Sequence, residues 1–186
     1  APAPRSLIVF TGQMDYRPNV EGVTWFVQTI LPHIRIAHPD ARFAIVGRNP
    51  TDAVKALARE PGVMVTGEVA DVRGWLDAAS VVVAPLRMAR GIQNKVLEAM
   101  AMARPTVAST AAAEGIDHGG TIRVGGTVGE IAEQVTALLS DPAQAAALGA
   151  AAREQVMRRY SWEARLQPLE QIMGLPHRSP KRTAAA

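Results

Sequence analysis

Six short apolar segments alternate with amphipathic stretches, and this alternation most constrains how the chain can fold. The apolar segments predict strands at Leu7–Thr11, Arg42–Val46, Val63–Thr66, Val81–Ala84, Pro105–Ser109 and Thr121–Val124. The amphipathic stretches predict helices at Val20–Ala37, Thr51–Arg59, Val72–Ala78, Ile92–Ala103, Val128–Leu139, Pro142–Tyr160 and Ser161–Met173. Because consecutive strand residues are apolar, both faces of the sheet should be covered. The sequence therefore predicts an α/β fold, a doubly wound, Rossmann-like, six-stranded parallel sheet with helices on both faces.

The length and composition fit one domain. A chain of 186 residues with 48% hydrophobic content can bury one good core. We assign residues 1–174 to that domain and expect 175–186 to be a disordered tail, because this segment has no apolar period. No apolar run is long enough to cross a bilayer, and no signal-peptide pattern begins the chain. With no cysteine in the sequence, these features indicate a cytoplasmic protein.

The charge distribution argues against a nucleic-acid partner. The formal net charge is +3, and Arg178, Lys181 and Arg182 lie near the end of the chain, where no acidic residue follows Glu170. The remaining body is therefore close to neutral, which is unlike a nucleic-acid-binding domain. The four histidines are scattered without metal-ligand spacing, so we expect no metal site.

One predicted helix carries a cation and a carboxylate near its start. Lys95 and Glu98 are three residues apart, so they lie on one helix face, and the loop before them ends in Arg90 and Gly91. A helix start offers free N–H groups and a positive dipole end to an anion. Lys95 could then neutralise a phosphate and Glu98 could accept hydrogen bonds from a ribose diol. The alternative, an exposed salt bridge on an amphipathic helix, stays open.

Three glycines directly follow predicted strands. Gly12, Gly47 and Gly67 fall where ligands bind in such sheets, beyond the carboxyl ends of the strands. Each one alone could equally be an ordinary turn glycine. No dinucleotide-binding glycine fingerprint follows the first strand and no P-loop occurs, so dehydrogenase and NTPase functions are disfavoured.

Several of these segments together resemble the C-terminal half of the family-four, or group 1, glycosyltransferases. The segments are Phe10-Thr11-Gly12, Ala44-Ile45-Val46-Gly47, Val65-Thr66-Gly67-Glu68-Val69, Ala84-Pro85-Leu86, Gly91 to Pro105, Val107-Ala108-Ser109 and Tyr160-Ser161-Trp162-Glu163. The resemblance covers residues 7–173, and Lys95–Pro105 is its most specific part. Phe10 to Gly22 is most similar to a subgroup that acts in bacterial exopolysaccharide or lipopolysaccharide-type sugar transfer.

The resemblance implies a two-domain enzyme of the B-type glycosyltransferase fold. Its missing N-terminal domain would hold the acceptor, a glycan, a lipid or another molecule, and this chain would hold the nucleotide-sugar donor, UDP- or GDP-linked. Transfer would retain the anomeric configuration and need no metal ion or other cofactor. The isolated domain would bind a nucleotide but turn over poorly. Membrane contact, peripheral at the inner membrane, would come only through the missing half.

The resemblance also implies roles for individual residues. Lys95 and Glu98 would be the catalytic residues, with Lys95 near the pyrophosphate and Glu98 on the ribose hydroxyls. The backbone around Gly67, Glu68 and Val69 would meet the base. The amides of Gly91 and Ile92 would bind the diphosphate or the sugar. The remaining donor-binding positions are Gly12, Gln13, Arg17, Gly47 and Arg90.

Two positions depart from the family pattern. Arg90 stands where the family has the first of two glutamates, and that glutamate normally meets the transferred sugar. Gln13 stands where many relatives have an arginine for the diphosphate. Four arginines could replace that cation, and the sequence leaves the choice open among Arg17, Arg48, Arg87 and Arg90.

Two other functions stay open beside the glycosyltransferase. The Arg90 substitution would also suit a non-catalytic module that binds nucleotide sugars or another partner. A sugar-nucleotide epimerase of the same fold is the other alternative, although no histidine and carboxylate pair stands out for it.

Overall fold

The computed structural model describes residues 6–161, and they form a single six-stranded parallel sheet with helices on both faces. The strands are β1 (Leu7–Thr11), β2 (Arg42–Val46), β3 (Val63–Gly67), β4 (Val81–Ala84), β5 (Thr106–Ser109) and β6 (Arg123–Gly125). Their spatial order is β3-β2-β1-β4-β5-β6, and every neighbouring pair is parallel. The predicted doubly wound, Rossmann-like sheet is confirmed.

Eight α-helices connect and cover these strands in the described part of the chain. They are α1 (Arg17–Trp25), α2 (Leu31–Ala37), α3 (Asp52–Ala56), α4 (Arg73–Ala78), α5 (Asn94–Ala101), α6 (Thr110–Ala113), α7 (Val128–Ser140) and α8 (Pro142–Tyr160). A short 3-10 turn, Leu57–Arg59, continues α3. The sequence analysis missed α6, a single turn whose cap is Ser109, which accepts a hydrogen bond from the Ala112 amide. The predicted helix Ser161–Met173, apart from Ser161, and the predicted tail lie outside the described residues.

The predicted helix Val20–Ala37 is longer and less regular than expected. It begins at Arg17, since Pro18 is tolerated in a first helical turn. A π-helical turn, Phe26–Ile30, separates α1 from α2, and the Leu31 amide donates to the Phe26 carbonyl, five residues back. Pro32 follows directly and has no N–H to continue the regular ladder.

Helix α5 is shorter than predicted at both ends. Ile92 was expected to begin the helix, but it lies in the preceding loop and is 48% exposed. The reason is Gly91, whose φ of 66° belongs to a turn and not to a helix. At the other end Ala103 takes a φ of 54°, and the Arg104 amide donates to the Ala99 carbonyl, which closes the helix with a Schellman motif.

Alternate residues of the strands face opposite sides of the sheet, so the core consists of two clusters. Ile8 and Phe10 of β1 pack with Phe26 of the π-helical turn on one face of the sheet. Leu7 and Val9 pack on the other face, in the cluster that also contains residues of α4 and α5. This burial explains why the strands are apolar at every position.

The sheet changes winding direction between β1 and β4. The chain proceeds from β1 through β2 to β3 on one side, and β4 returns to pair with β1 on the other side. In open α/β sheets, ligands bind at this switch point, beyond the carboxyl ends of the strands. The topology therefore places the candidate site between the loop after β1 and the loop that enters α5.

Candidate functional site

A cleft of about 530 Å³ opens at this switch point. The loops after β1, β2 and β3 form one side, and the start of α5 forms the other. The lining residues are Thr11, Gly12, Gln13, Tyr16, Asn19, Val46, Gly47, Arg48, Glu68, Val69, Val72, Ile92, Gln93, Asn94, Lys95 and Glu98. Most of them are polar or glycine, which suits a polar ligand better than an apolar one.

Lys95 is the half-buried cation of the cleft. Its Nζ donates to the Asn19 Oδ1 at 2.5 Å and lies 4.4 Å from the centre of the Phe10 ring. Burial lowers the pKa of Lys95 to about 8, and the nearby Glu98 carboxylate opposes this shift. In the described part of the chain no ion pair joins Lys95 to Glu98, so the exposed salt bridge considered from the sequence does not form.

Asn19 connects the loop after β1 to helix α5. It lies in the first turn of α1 and is 4% exposed. Its Nδ2 donates to the Gln13 carbonyl at 2.8 Å, which turns its Oδ1 toward Lys95. A Cβ at Gly12 would lie 2.8 Å from the Asn19 Nδ2 and 3.2 Å from the Lys95 Nζ. Glycine at position 12 therefore leaves the space in which these two side chains meet.

A second cation, Arg48, enters the cleft from the loop after β2. Its Nη2 donates to the Gln13 Oε1 at 3.2 Å. The loop after β2 lies directly on the loop after β1, because a Cβ at Gly47 would lie only 1.7 Å from the Gly12 carbonyl oxygen. Position 47 thus accepts only glycine in this arrangement.

Two further groups face the cleft. The Glu98 side chain lies one helical turn beyond Lys95, and burial raises the pKa of this carboxyl while Lys95 opposes the rise. The Thr11 Oγ1 is buried and makes no hydrogen bond to any described residue. An unpartnered buried hydroxyl costs free energy, so it is a natural partner for a polar ligand.

The structure brings together eight of the twelve residues that the sequence analysis proposed. Those that line the cleft are Gly12, Gln13, Gly47, Glu68, Val69, Ile92, Lys95 and Glu98. Gly67 ends β3 beside them with a φ of 68°. Gly91 lies in the loop before α5, and a Cβ at Gly115 would lie 2.4 Å from its carbonyl oxygen. Neither glycine lines the cleft.

The two remaining residues are arginines that point elsewhere. Arg17 is 81% exposed in its side chain and pairs with Glu21 at 2.7 Å. Arg90 is exposed and does not line the cleft. Arg87 lies over the Trp25 ring at 5.9 Å from its centre. Of the four arginines that could replace the family's diphosphate cation, Arg48 alone lines the cleft.

Seven lining residues were not proposed from the sequence, namely Thr11, Tyr16, Asn19, Val46, Val72, Gln93 and Asn94. Thr11 ends β1, Asn19 lies in the first turn of α1, and Asn94 begins α5. A usable signal was present for Asn19, since an asparagine in an otherwise apolar helix face requires a hydrogen-bond partner when it is buried.

Between residues 6 and 161, no group of three or more His, Asp or Glu side chains could hold a metal ion. No helix in that range is long and apolar enough to cross a membrane.

The sequence matches the family model described as group 1 glycosyl transferases over residues 5–141. A relative from Corynebacterium glutamicum, a GDP-mannose-dependent monoacylated alpha-(1-6)-phosphatidylinositol monomannoside mannosyltransferase, is 31% identical over 157 residues. That alignment covers 77% of this chain but only 41% of the relative. The chain thus spans less than half the length of this curated relative.

Solved structures share the fold. The C-terminal domain of a group 1 glycosyl transferase from Francisella tularensis superimposes with a TM-score of 0.67 at 20% identity, covering 84% of this chain and 87% of that domain. Anabaena HepE in complex with UDP and glucose gives a TM-score of 0.69 at 21% identity, covering 91% of this chain and 48% of HepE. These likenesses confirm the predicted fold, and with the family match they lead to one conclusion. The chain belongs to the group 1 glycosyltransferases.

Proposed function

We propose that this chain is the donor-binding half of a retaining glycosyltransferase of the two-domain B-type fold. The observation that carries the proposal is the half-buried Lys95 ammonium, held at the switch-point cleft beside the start of α5. A half-buried cation that forms no ion pair is stabilised when an anion binds it. The pyrophosphate of a nucleotide sugar supplies that anion.

We expect the three parts of a nucleotide to lie along the cleft in the following order. The pyrophosphate would lie against Lys95 and the first amides of α5. The ribose hydroxyls would donate to Glu98, one helical turn further along. The base would meet the backbone of the loop Gly67–Val69, whose first residue leaves open space where a Cβ would be.

The proposed chemistry depends on stabilising the leaving group. As the bond from the sugar to the diphosphate breaks, negative charge grows on the diphosphate, and Lys95 with the positive end of α5 would stabilise it. The acceptor hydroxyl would attack from the same face of the sugar, which retains the configuration. These protein groups carry the leaving-group charge, so we propose transfer without a metal ion.

The donor and acceptor classes are proposals of the same kind. The Corynebacterium glutamicum relative acts with GDP-mannose on a phosphatidylinositol mannoside. That likeness supports GDP ahead of UDP, and an acceptor of the cell-surface glycan or glycolipid class. Such an acceptor fits a protein that works in the cytoplasm at the inner face of the membrane.

A non-catalytic binding module is the second candidate, and Arg90 is the observation that favours it. This exposed residue takes the place of a family glutamate that normally meets the transferred sugar. The two functions differ in one measurement. The full-length protein, supplied with donor and acceptor, transfers sugar if the first proposal holds and only binds the donor if the second does.

Calorimetric titration of the 186-residue chain with GDP, UDP, ADP and NAD tests donor binding. We expect one nucleoside diphosphate to bind and Glu98→Gln to weaken it by about 1.5–3 kcal/mol, the range for a hydrogen bond to a charged group. Glu133→Gln, an exposed carboxylate on α7, is the matched control and should leave the affinity unchanged. Absence of binding by every nucleotide at millimolar concentration would contradict the proposal.

A further inference from the structure

The two cations that line the cleft are held by amide side chains and not by carboxylates. Arg123 and Arg158 also donate to amide side-chain oxygens, but neither of them lines the cleft. Within the described range, the ion pairs join a cation to a carboxylate, namely Arg17–Glu21, Lys55–Asp52, Arg73–Asp71, Arg104–Asp77 and Arg159–Asp117. Lys95 and Arg48 are hydrogen-bonded instead to the oxygens of amide side chains, those of Asn19 and Gln13.

An amide oxygen can fix a cation without neutralising it. It accepts a hydrogen bond but carries no net charge, whereas a carboxylate at the same place would cancel most of the field that the cation offers a ligand. Lys95 and Arg48 therefore keep their charge available to the cleft while their positions are restricted.

The orientation of the Asn19 amide is set within one segment, the loop after β1 and the first turn of α1. The Asn19 Nδ2 donates to the Gln13 backbone carbonyl, so its oxygen faces Lys95. The Gln13 side-chain oxygen accepts from Arg48. Gln13 and Asn19, joined by this backbone hydrogen bond, thus connect the loop after β2 with helix α5.

We propose that Gln13 and Asn19 are positioning residues that hold Arg48 and Lys95 by hydrogen bonds, without an ion pair, for the pyrophosphate of the donor. This inference rests on the proposed function and adds two residues to it. It also assigns Arg48 as the second cation of the diphosphate subsite, in a chain where position 13 is not itself a cation.

Near-isosteric carboxylates test the proposal. In Gln13→Glu and Asn19→Asp each amide is replaced by a group of similar size that neutralises its cation. We expect each variant to bind GDP or UDP, whichever the parent binds, at least tenfold more weakly in calorimetry. Binding of the corresponding nucleoside, followed by ligand-observed NMR, should not change, because the nucleoside has no phosphate. Lys55→Gln, which breaks an exposed ion pair on α3, is the control and should bind like the parent.

Gln13→Glu keeps the test decisive if Asn19→Asp folds poorly, because the Gln13 side chain is exposed. A second measurement needs no nucleotide. The chain has three lysines, at positions 55, 95 and 181, so their side-chain signals can be titrated separately by NMR. Asn19→Asp should raise the pKa of Lys95.

The possible outcomes distinguish failure of this inference from failure of the proposed function. A parent that binds no nucleoside diphosphate overturns both. A parent that binds, and is weakened by Glu98→Gln but not by Gln13→Glu or Asn19→Asp, overturns the inference and leaves the function standing. An unchanged Lys95 pKa in folded Asn19→Asp would show that the amide does not hold the lysine, which also overturns it.

Discussion

Two cavities lie at opposite edges of the same sheet. The larger one is lined mainly by apolar residues, and the smaller one mainly by polar residues and glycine. The cavity at the amino-terminal edge measures about 850 Å³ and is lined largely by alanine, leucine and proline. The cleft at the carboxyl edge measures about 530 Å³ and holds Lys95, Arg48 and Glu98. Volume alone would select the amino-terminal edge, whereas the placement of charged side chains selects the cleft.

The difference follows from the direction of the chain. At the amino-terminal edge helices end, and arginines there are occupied by the free carbonyls of helix ends: Arg153 donates to the Ala101 carbonyl and Arg104 to that of Met102. Arg104 also pairs with Asp77 at 3.2 Å. At the carboxyl edge helices begin, so their free backbone groups are N–H donors. The cations beside these helix starts add to the positive potential there.

Lys95→Gln should have the largest effect, and it tests the difference between the two edges of the sheet. Removing the cleft cation should weaken nucleoside diphosphate binding by about 1.5–3 kcal/mol, the range for hydrogen bonds to charged groups. Calorimetry measures this loss. Arg104→Gln, the matched change at the other edge, should lower the melting temperature and leave the affinity unchanged. Equal losses of affinity in both variants would contradict the distinction between the two edges.

Much of the fold was predictable because it depends on local pattern. Uninterrupted apolar strands, glycines after them and helical periodicity between them fixed the sheet, with the largest strand shift two residues at the start of β6. The errors, such as Ile92 placed in α5, arose where backbone geometry at a single residue overrode periodicity. The spacing of apolar residues does not predict the φ of 66° at Gly91.

The site was less predictable because its contacts are distant in sequence. Lys95 and Glu98 share a helix, so their proximity could be inferred from spacing. The Lys95–Asn19 hydrogen bond joins residues 76 positions apart, and the Arg48–Gln13 bond joins residues 35 apart. Only the sheet order, with β1 between β2 and β4, brings these side chains together.

Gly149→Ala tests whether the amino-terminal edge serves packing alone. A Cβ at Gly149 of α8 would lie 2.1 Å from the Ala103 carbonyl oxygen, so the helix must move. We expect a loss of about 1–3 kcal/mol in the free energy of unfolding, measured by denaturant titration, as for other overpacked sites. The affinity for nucleotide should not change. Gly129→Ala, which meets nothing within 4 Å in α7, should instead be neutral or stabilising.

The pH dependence of nucleotide binding tests the role of the Lys95 ammonium. Because the pKa of Lys95 is lowered to about 8, the ammonium is present below that pH and is lost as the pH rises through it. The other ionisable groups that line the cleft are Arg48, Glu68, Glu98 and Tyr16. Above the pKa of Lys95 the affinity should fall by up to about tenfold per pH unit, the limit for loss of one required proton. Lys95→Gln should remove this dependence, and a parent affinity that is flat from pH 7 to 9.5 would contradict it.

Arg17→Gln should have the smallest effect on nucleotide affinity. It tests a residue that the family resemblance assigned to the donor but that the structure places outside the cleft lining. Arg17 and Lys95 each lie in the first turn of a helix at the carboxyl edge, and the family resemblance gave both a role with the donor. Arg17, however, is exposed and neutralised by Glu21, and an exposed ion pair of this kind contributes little to stability. We expect the melting temperature and the nucleotide affinity of Arg17→Gln to match those of the parent. A clear loss of affinity in calorimetry would mean that Arg17 leaves Glu21 and turns into the cleft when the donor binds, and the diphosphate subsite would then contain three cations instead of two.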